Sequence, residues 1–237
     1  MQLCINIDHI AKLRYARGGT EPDILEAAAV CKKAGADGIV IHLREDRRHI
    51  KDRDVEILRN EIQTKLDLEM GANEEIISIA LRILPDLVTL VPERRRELTT
   101  EGGLDVVSQK EKLRTVIQRF HEKNIVVSLF VDPQPEQITA SKEIGADIIE
   151  LHTGEYADAK NSDAQEQCFQ AIYAAAKLGK SLGLGINAGH GLNYKNVRRI
   201  AEISFIDEMS IGFSIISRAV FTGLENAVKE MLALVKK

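Results

Sequence analysis

Residues able to move protons recur in this chain directly behind short apolar runs. "LCINIDHI" places Asn6, Asp8 and His9 there, "GIVIHLR" places His42 and Arg44, and "IIELHTG" places Glu150 and His152. "GLGINAGHGLNY" breaks from an apolar run into glycine, alanine and asparagine around His190. In "KLDLEMG", Leu66, Leu68 and Met70 alternate with Asp67 and Glu69, so an extended chain turns the acids to one face and the apolar residues to the other. Imidazole titrates near neutrality, and a carboxylate reaches that range when it is desolvated, so this inventory suits general acid–base chemistry. His49 follows His42 by a few residues, and of the six histidines only His121 falls in a helix-like stretch.

Each feature also has a structural reading. A single histidine at the end of a strand can be a satisfied donor, and Glu69 and Glu150 can be carboxylates held by an interior arginine or lysine. The small residues around His190 let backbone amides approach a ligand, and "MSIGFSIISRAVFTG" repeats the arrangement at Gly212. Either turn alone is compatible with an ordinary strand-to-helix loop. Paired behind the last two strands they suit a phosphate site, with His190 between the phosphate and the reacting centre.

The elements that must position these residues alternate in type. Strands are expected at 3–7, 38–43, 66–70, 87–91, 125–131, 148–152, 183–187 and 206–211, most of them apolar on consecutive positions, as in parallel strands buried on both faces. Helices are expected at 22–34, 54–65, 74–84, 109–123, 136–144, 163–181, 194–201 and 224–235. "KKAGADGIVIHL" and "KEIGADIIELH" echo each other as a helix-ending glycine followed by a strand. Eight such units in 237 residues predict an α/β fold, a (β/α)8 TIM barrel of parallel strands with additional short helices. An open doubly wound sheet is the competitor, but its glycine-rich turn after the first strand is missing: that strand ends in "NIDHI". No proline-rich, serine-rich or low-complexity linker divides the chain, so residues 1–237 read as one domain. In a parallel barrel the carboxyl ends of the strands share one mouth, and the polar residues above all fall there.

Composition narrows the classes. The chain is 44% hydrophobic and carries a formal charge of -4, with 4% aromatic residues and no tryptophan, which gives no bulk attraction to nucleic acid. The mixed runs "HLREDRRHIKDRD" and "PERRRELTTEGG" read as solvated surface unless their position gives them a ligand. No apolar stretch is long enough to span a bilayer, and no signal peptide opens the sequence, so the expectation is a cytoplasmic protein with no membrane partner. Cys4, Cys31 and Cys168 are odd in number and widely spaced, as suits reduced, packed thiols.

"NIDHIAKLRYARG", "IVIHLREDRRHIKDRDV", "LDLEM", "LVPERRRELTTEGGLDV", "IELHTGEYA" and "INAGHGLNY" resemble, in order and across nearly the whole chain, the signature segments of the pyridoxine 5'-phosphate synthase family. The resemblance implies a barrel enzyme, a ring-forming transferase of vitamin B6 synthesis. It would join 1-deoxy-D-xylulose 5-phosphate to 3-amino-2-oxopropyl phosphate and release inorganic phosphate and water. It implies no metal and no organic cofactor, small phosphorylated molecules as partners, and a homo-oligomer, an octamer built from dimers. By motif, Glu69 and His42 would accept protons, His190 would donate one, and Glu150 would stabilise the transition state. Asn6, Arg17, Gly191, Gly212 and Phe213 would hold the amino-ketone phosphate, and Asp8, His9, Arg44, His49 and Thr99 the deoxyxylulose phosphate. One departure is Phe213, where the family often has histidine; a backbone contact survives that change and a side-chain contact does not. The long polar segment 92–107 would close over the mouth as a lid. Two other classes share parts of the pattern: another phosphosugar-handling barrel enzyme, an isomerase or aldolase, and a phosphosugar-binding barrel without turnover.

Overall fold

The computed structural model describes residues 1–93 and 102–236. Its strands are β1 (Gln2–Asn6), β2 (Gly38–His42), β3 (Lys65–Met70), β4 (Leu87–Leu90), β5 (Val126–Val131), β6 (Ile148–His152), β7 (Gly185–Gly189) and β8 (Glu208–Ile211). They pair in parallel in chain order, and β8 pairs with β1, closing the expected barrel. Around it run α1 (Asp8–Arg17), α2 (Ile24–Ala34), α3 (Asp52–Glu61), α4 (Glu74–Ile83), α5 (Lys110–His121), α6 (Pro135–Glu143), α7 (Gly154–Ala157), α8 (Ser162–Ser181), α9 (Val197–Ala201), α10 (Phe213–Thr222) and α11 (Leu224–Val235). No helix among the described residues is long and apolar enough to cross a membrane.

The strands alternate more strictly than their apolar composition suggests. Leu3 and Ile5, Ile39 and Ile41, Leu66, Leu68 and Met70, Val127, Leu129 and Val131, and Ile149 and Leu151 join helix residues such as Ala28, Cys31, Ile76, Ile77, Ala176, Val228 and Met231 in one buried apolar cluster. That cluster is the layer between barrel and helices. The alternate positions face inward and are largely polar: Asn6, Asp67, Glu69, Thr89, Ser128, Glu150, Asn187 and Glu208. The strands are buried on both faces as expected, but their inner face is polar rather than apolar. The interior holds hydrogen-bonding and ionisable groups where such barrels ordinarily stack branched aliphatic side chains.

The "AGAD" echo has a physical basis. α2 starts on Asp23, whose side chain accepts from Glu26 N, and ends at Gly35, which adopts a left-handed φ of 106°. Asp37 then accepts a hydrogen bond from Leu3 N at 2.8 Å, satisfying a donor at the open start of β1. Asp86 does the same for Leu66 N of β3, Asp147 for Val127 N of β5 and Asp207 for Ile186 N of β7, each at 2.9 Å. One device thus ties each odd strand to the even strand that follows it.

Three helices lie outside the expected set. α1 and α10 start directly from the loops after β1 and β8, where the polar and glycine residues mask the helical periodicity, and α7 is a single turn. β7 is shifted two residues along from the expected run, starting at Gly185 rather than 183, so Ala188 and Gly189 belong to the strand and not to the turn.

Candidate active site

His42 and Glu69 stand opposite each other at the ends of β2 and β3. His42 Nδ1 lies 3.9 Å from Glu69 Oε2. On its other side His42 Nε2 donates to Glu93 Oε1 at 2.8 Å. Glu93 is held in turn, accepting from Gly71 N at 3.0 Å and from Glu45 N at 3.1 Å. A carboxylate only accepts, so this contact puts the imidazole proton on Nε2 and leaves the Nδ1 lone pair facing Glu69. Burial alone would raise Glu93, but the hydrogen bonds from His42 and from Glu45 N bring it below the usual glutamate range. Asp8 Oδ1 accepts from His42 N at 2.9 Å. Asn6 Nδ2 bridges the two acids, donating to Glu69 Oε2 at 3.4 Å and Asp8 Oδ2 at 3.5 Å.

Glu69 is thus met by an amide and surrounded by acids rather than held by an interior lysine or arginine. Burial raises its pKa well above the ordinary value, and Glu150, Asp8 and Asp67 raise it further. Glu150 is raised too, by burial and then by Asp67 and Glu208. It is 2% exposed, and its Oε2 has no hydrogen-bond partner among the described residues. Deeper in the barrel, Thr89 Oγ1 donates to Asp67, whose pKa burial and Glu208 push up to about 7. Lys65 pairs with Glu208, far from the mouth. Acids therefore outnumber cations along the axis, and the group near the mouth retains protons to higher pH than free carboxylates.

The "INAGHG" run now has an explanation. A Cβ on Gly189 would lie 2.2 Å from Glu150 Oε1 and 3.0 Å from Ser210 O, so the missing side chain is the space the Glu150 carboxylate occupies. His190 follows with a left-handed φ of 77° and Gly191 with 80°. Thr153 Oγ1 donates to the carbonyls of Gly189 and His190 at 2.8 and 2.6 Å, anchoring the reversal that turns the imidazole over the mouth. Burial, and then His152, lower the His190 pKa to about 4, so in the unliganded protein it is a neutral imidazole at neutral pH.

Two supporting carboxylates escape sequence reading, Glu93 and Asp132. Asp132 Oδ1 accepts from His152 Nδ1 at 2.9 Å and from Gly103 N at 2.9 Å. The His152 ring stands 5.1 Å from that of His190, edge to face, and Phe130 packs against both. Each acid immediately follows a barrel strand or its first loop residues, and that position is the only signal available in the sequence.

A cavity of about 970 Å³ joins these groups; its lining includes Asn6, His9, Lys12, Glu69, Phe130, Glu150, His190, Gly191, Gly212 and Phe213. At one side Gly212 caps α10, and a Cβ there would lie 2.8 Å from Asn6 O. Phe213 is 69% exposed, with its ring 5.2 Å from that of His9. His9 thus stands beside Phe213; Arg44 is buried, and among the described residues the buried Nδ1 atoms of His9 and His49 have no hydrogen-bond partner. Burial, and then Lys12, lower both histidines to about 4. Arg17 is not brought to the cavity: it ends α1 in an exposed position, about 14 Å along the helix axis from Asp8. Thr99, and with it half of the expected lid, residues 94–101, lies outside the described residues. Asp8, His42 and Glu69 each offer an atom to a metal ion, all within 4.8 Å of one another. The Asn6 amide already bridges both of those carboxylates.

Residues 3–237 match the family described as pyridoxal phosphate biosynthesis protein PdxJ. A relative from Geobacter sulfurreducens, a pyridoxine 5'-phosphate synthase, is 57% identical over 99% of this chain and 98% of its own. The relative of the same name from Geobacter metallireducens is 55% identical over the same shares. Among solved structures, monomers generated from the dimeric phosphoribosylanthranilate isomerase of Thermotoga maritima superpose with a TM-score of 0.62, at 14% identity, over 100% of this chain and 98% of that one. That likeness concerns the barrel. The sequence matches extend across the strand ends, the acids and the glycine turns described above, and the chain belongs to the PdxJ family of pyridoxine 5'-phosphate synthases.

Proposed function

We propose that this chain condenses 1-deoxy-D-xylulose 5-phosphate with 3-amino-2-oxopropyl phosphate to pyridoxine 5'-phosphate, inorganic phosphate and water, using only acid–base groups of its own. The observation that carries this reading is the convergence of Glu69, Glu150 and His190 on one cavity, with His42 beside Glu69, Lys12 on the wall and a glycine-capped helix start at Gly212. Amine and ketone must form an imine, a carbon-bound proton must leave, phosphate and water must depart, and the ring must close. Each is a proton transfer, worth about 10² to 10⁴ in rate when a positioned side chain performs it. His42 Nδ1 and Glu69 face each other as acceptors. Glu150 lies beneath them as the acid that meets positive charge developing on nitrogen. His190 donates as a neutral imidazole, or as imidazolium once a phosphate dianion beside it favours the charged form. Asn6, Gly191, Gly212 and the Phe213 amide receive the amino-ketone phosphate; Asp8, His9, Arg44, His49 and Thr99 receive the deoxyxylulose phosphate.

The reading includes a single barrel domain working in the cytoplasm as a homo-oligomer, an octamer built from dimers. Exposed Leu13 and Tyr15 on α1 and exposed Val220 and Phe221 on α10 support a copy seated on this rim, since α1 and α10 touch and α10 borders the cavity. Arg17 on the same rim would then serve the phosphate site of a neighbouring copy.

The test is to incubate the purified protein with both phosphorylated substrates and follow pyridoxine phosphate by its fluorescence and mass. Binding without product would favour a non-catalytic phosphosugar-binding barrel, and isomerised or cleaved deoxyxylulose phosphate would favour the isomerase or aldolase class. Glu69→Gln should bind deoxyxylulose phosphate and form no product.

A further inference from the structure

We propose that Lys12 is a direct ligand of the phosphate group of deoxyxylulose phosphate, an inference that rests on the function proposed above. Lys12 lies one turn beyond Asp8 and three residues beyond His9 on α1, a spacing that places it on their face of the helix. It lines the cavity beside Asn6 and His9. It is partly buried, yet its ammonium makes no hydrogen bond or ion pair with any described residue.

A lysine that gives up hydration without a partner is costly, and burial is accordingly the largest cause lowering its pKa. Asp8 opposes that shift while Arg44 and Arg48 add to it. The nearby carboxylate is already engaged: Asp8 Oδ1 accepts from His42 N and Asp8 Oδ2 from Asn6 Nδ2. After burial, Lys12 is the charge that most lowers His9 and His49, which places both imidazoles near its ammonium. A cationic side chain on the wall of a cavity, without a hydrogen-bond partner among the described residues and with two guanidiniums and two imidazoles nearby, describes a place for an anion. A phosphate dianion fits it, and Lys12 supplies a full charge beside two imidazoles that are neutral in the free protein.

The competing role is structural, a helix pair with Asp8 four residues earlier. The two roles separate in the variants Lys12→Met and Lys12→Arg. If Lys12 binds phosphate, Lys12→Met should weaken calorimetric binding of deoxyxylulose phosphate and of inorganic phosphate on the order of 10- to 100-fold. KM for deoxyxylulose phosphate should rise more than kcat falls, Lys12→Arg should recover part of the loss, and KM for 3-amino-2-oxopropyl phosphate should stay within a few-fold. The melting temperature of the free Lys12→Met protein should be equal to or above that of wild type, because an unpaired buried charge is removed. Wild-type affinity in Lys12→Met together with a lower melting temperature would overturn the proposal in favour of the Asp8 pair, as would equal losses for both substrates. A wild-type protein that binds no deoxyxylulose phosphate would sink the functional reading itself, whereas binding unaltered in Lys12→Met sinks this inference alone.

Discussion

Replacing Glu93 by glutamine tests whether the His42 tautomer is set by its buried partner. Both side chains are 7% exposed, so the Glu93–His42 contact is scarcely screened by solvent. The carboxylate accepts three hydrogen bonds, from His42 Nε2, Gly71 N and Glu45 N. Glutamine has one acceptor oxygen, so either its amide faces the Glu45 donor or it flips and faces His42. In the first case two donors oppose each other. In the second, Nε2 must become the acceptor and the proton moves to Nδ1, the atom that faces Glu69. A hydrogen bond to a charged partner contributes about 1.5–3 kcal/mol and a neutral one about 1 kcal/mol, so the variant should lose roughly 1–2 kcal/mol of stability. The rate should fall further, by about 10² or more, because the base proposed above loses its position. Since Glu93 is held below the ordinary glutamate range, its contribution is fully present above that range and is lost as pH falls from there through its lower folded value. The stability gap between wild type and Glu93→Gln should therefore close in acid. Urea unfolding at neutral pH and below pH 4, with pyridoxine phosphate formation at saturating substrates, measures all of this. A kcat within about 2-fold of wild type would refute the tautomer argument.

Gly189→Ala puts a methyl group 2.2 Å from Glu150 Oε1, so it should displace that carboxylate, cost roughly 1–3 kcal/mol, and abolish most turnover; a crystal structure with Glu150 unmoved would contradict this account. His190→Asn keeps a residue that tolerates the left-handed φ of 77°, so the melting temperature should stay within a few degrees while turnover drops by about 10² or more. A large loss of folded protein would instead assign His190 a structural role. Glu150→Gln should stabilise the protein while slowing it. The raised pKa of Glu150 means that its favourable protonated state is present at low pH and lost as pH rises through the folded value, so the variant's gain in melting temperature should be larger at pH 8 than at pH 5. A gain independent of pH would count against a buried, uncompensated carboxylate.

Much of this site was legible in the chain. "KLDLEM" alternates so regularly that Glu69 could be turned inward from its sequence alone, and Asn6, Asp8, His9, His42, Glu150 and His190 follow their apolar runs closely enough to be assigned to one mouth. The "AGAD" and "IGAD" steps carried the helix-to-strand rhythm because glycine at a left-handed helix end and aspartate at a strand start are local requirements. Local requirements of this kind are satisfied within a few residues, and a sequence displays them directly. α1 and α10 were not legible because they begin among residues chosen for the cavity rather than for helix periodicity.

Other features depend on closure of the barrel. Glu93 reaches His42 across 51 residues, and Asp132 reaches His152 across 20. No local pattern distinguishes those two acids from the many that decorate the surface. That Gly189 is glycine because Glu150 needs its volume, and that Arg17 stands away from the cavity while Lys12 lines it, likewise follow only from strands brought side by side. The sequence by itself determined the alternation of elements and which strand ends carry proton-active groups, because backbone geometry repeats with periods that side chains must obey. Only the tertiary structure decided which acid orients which imidazole and which carboxylates are pushed to higher pKa, because burial and charge coupling depend on neighbours that meet once the barrel is closed.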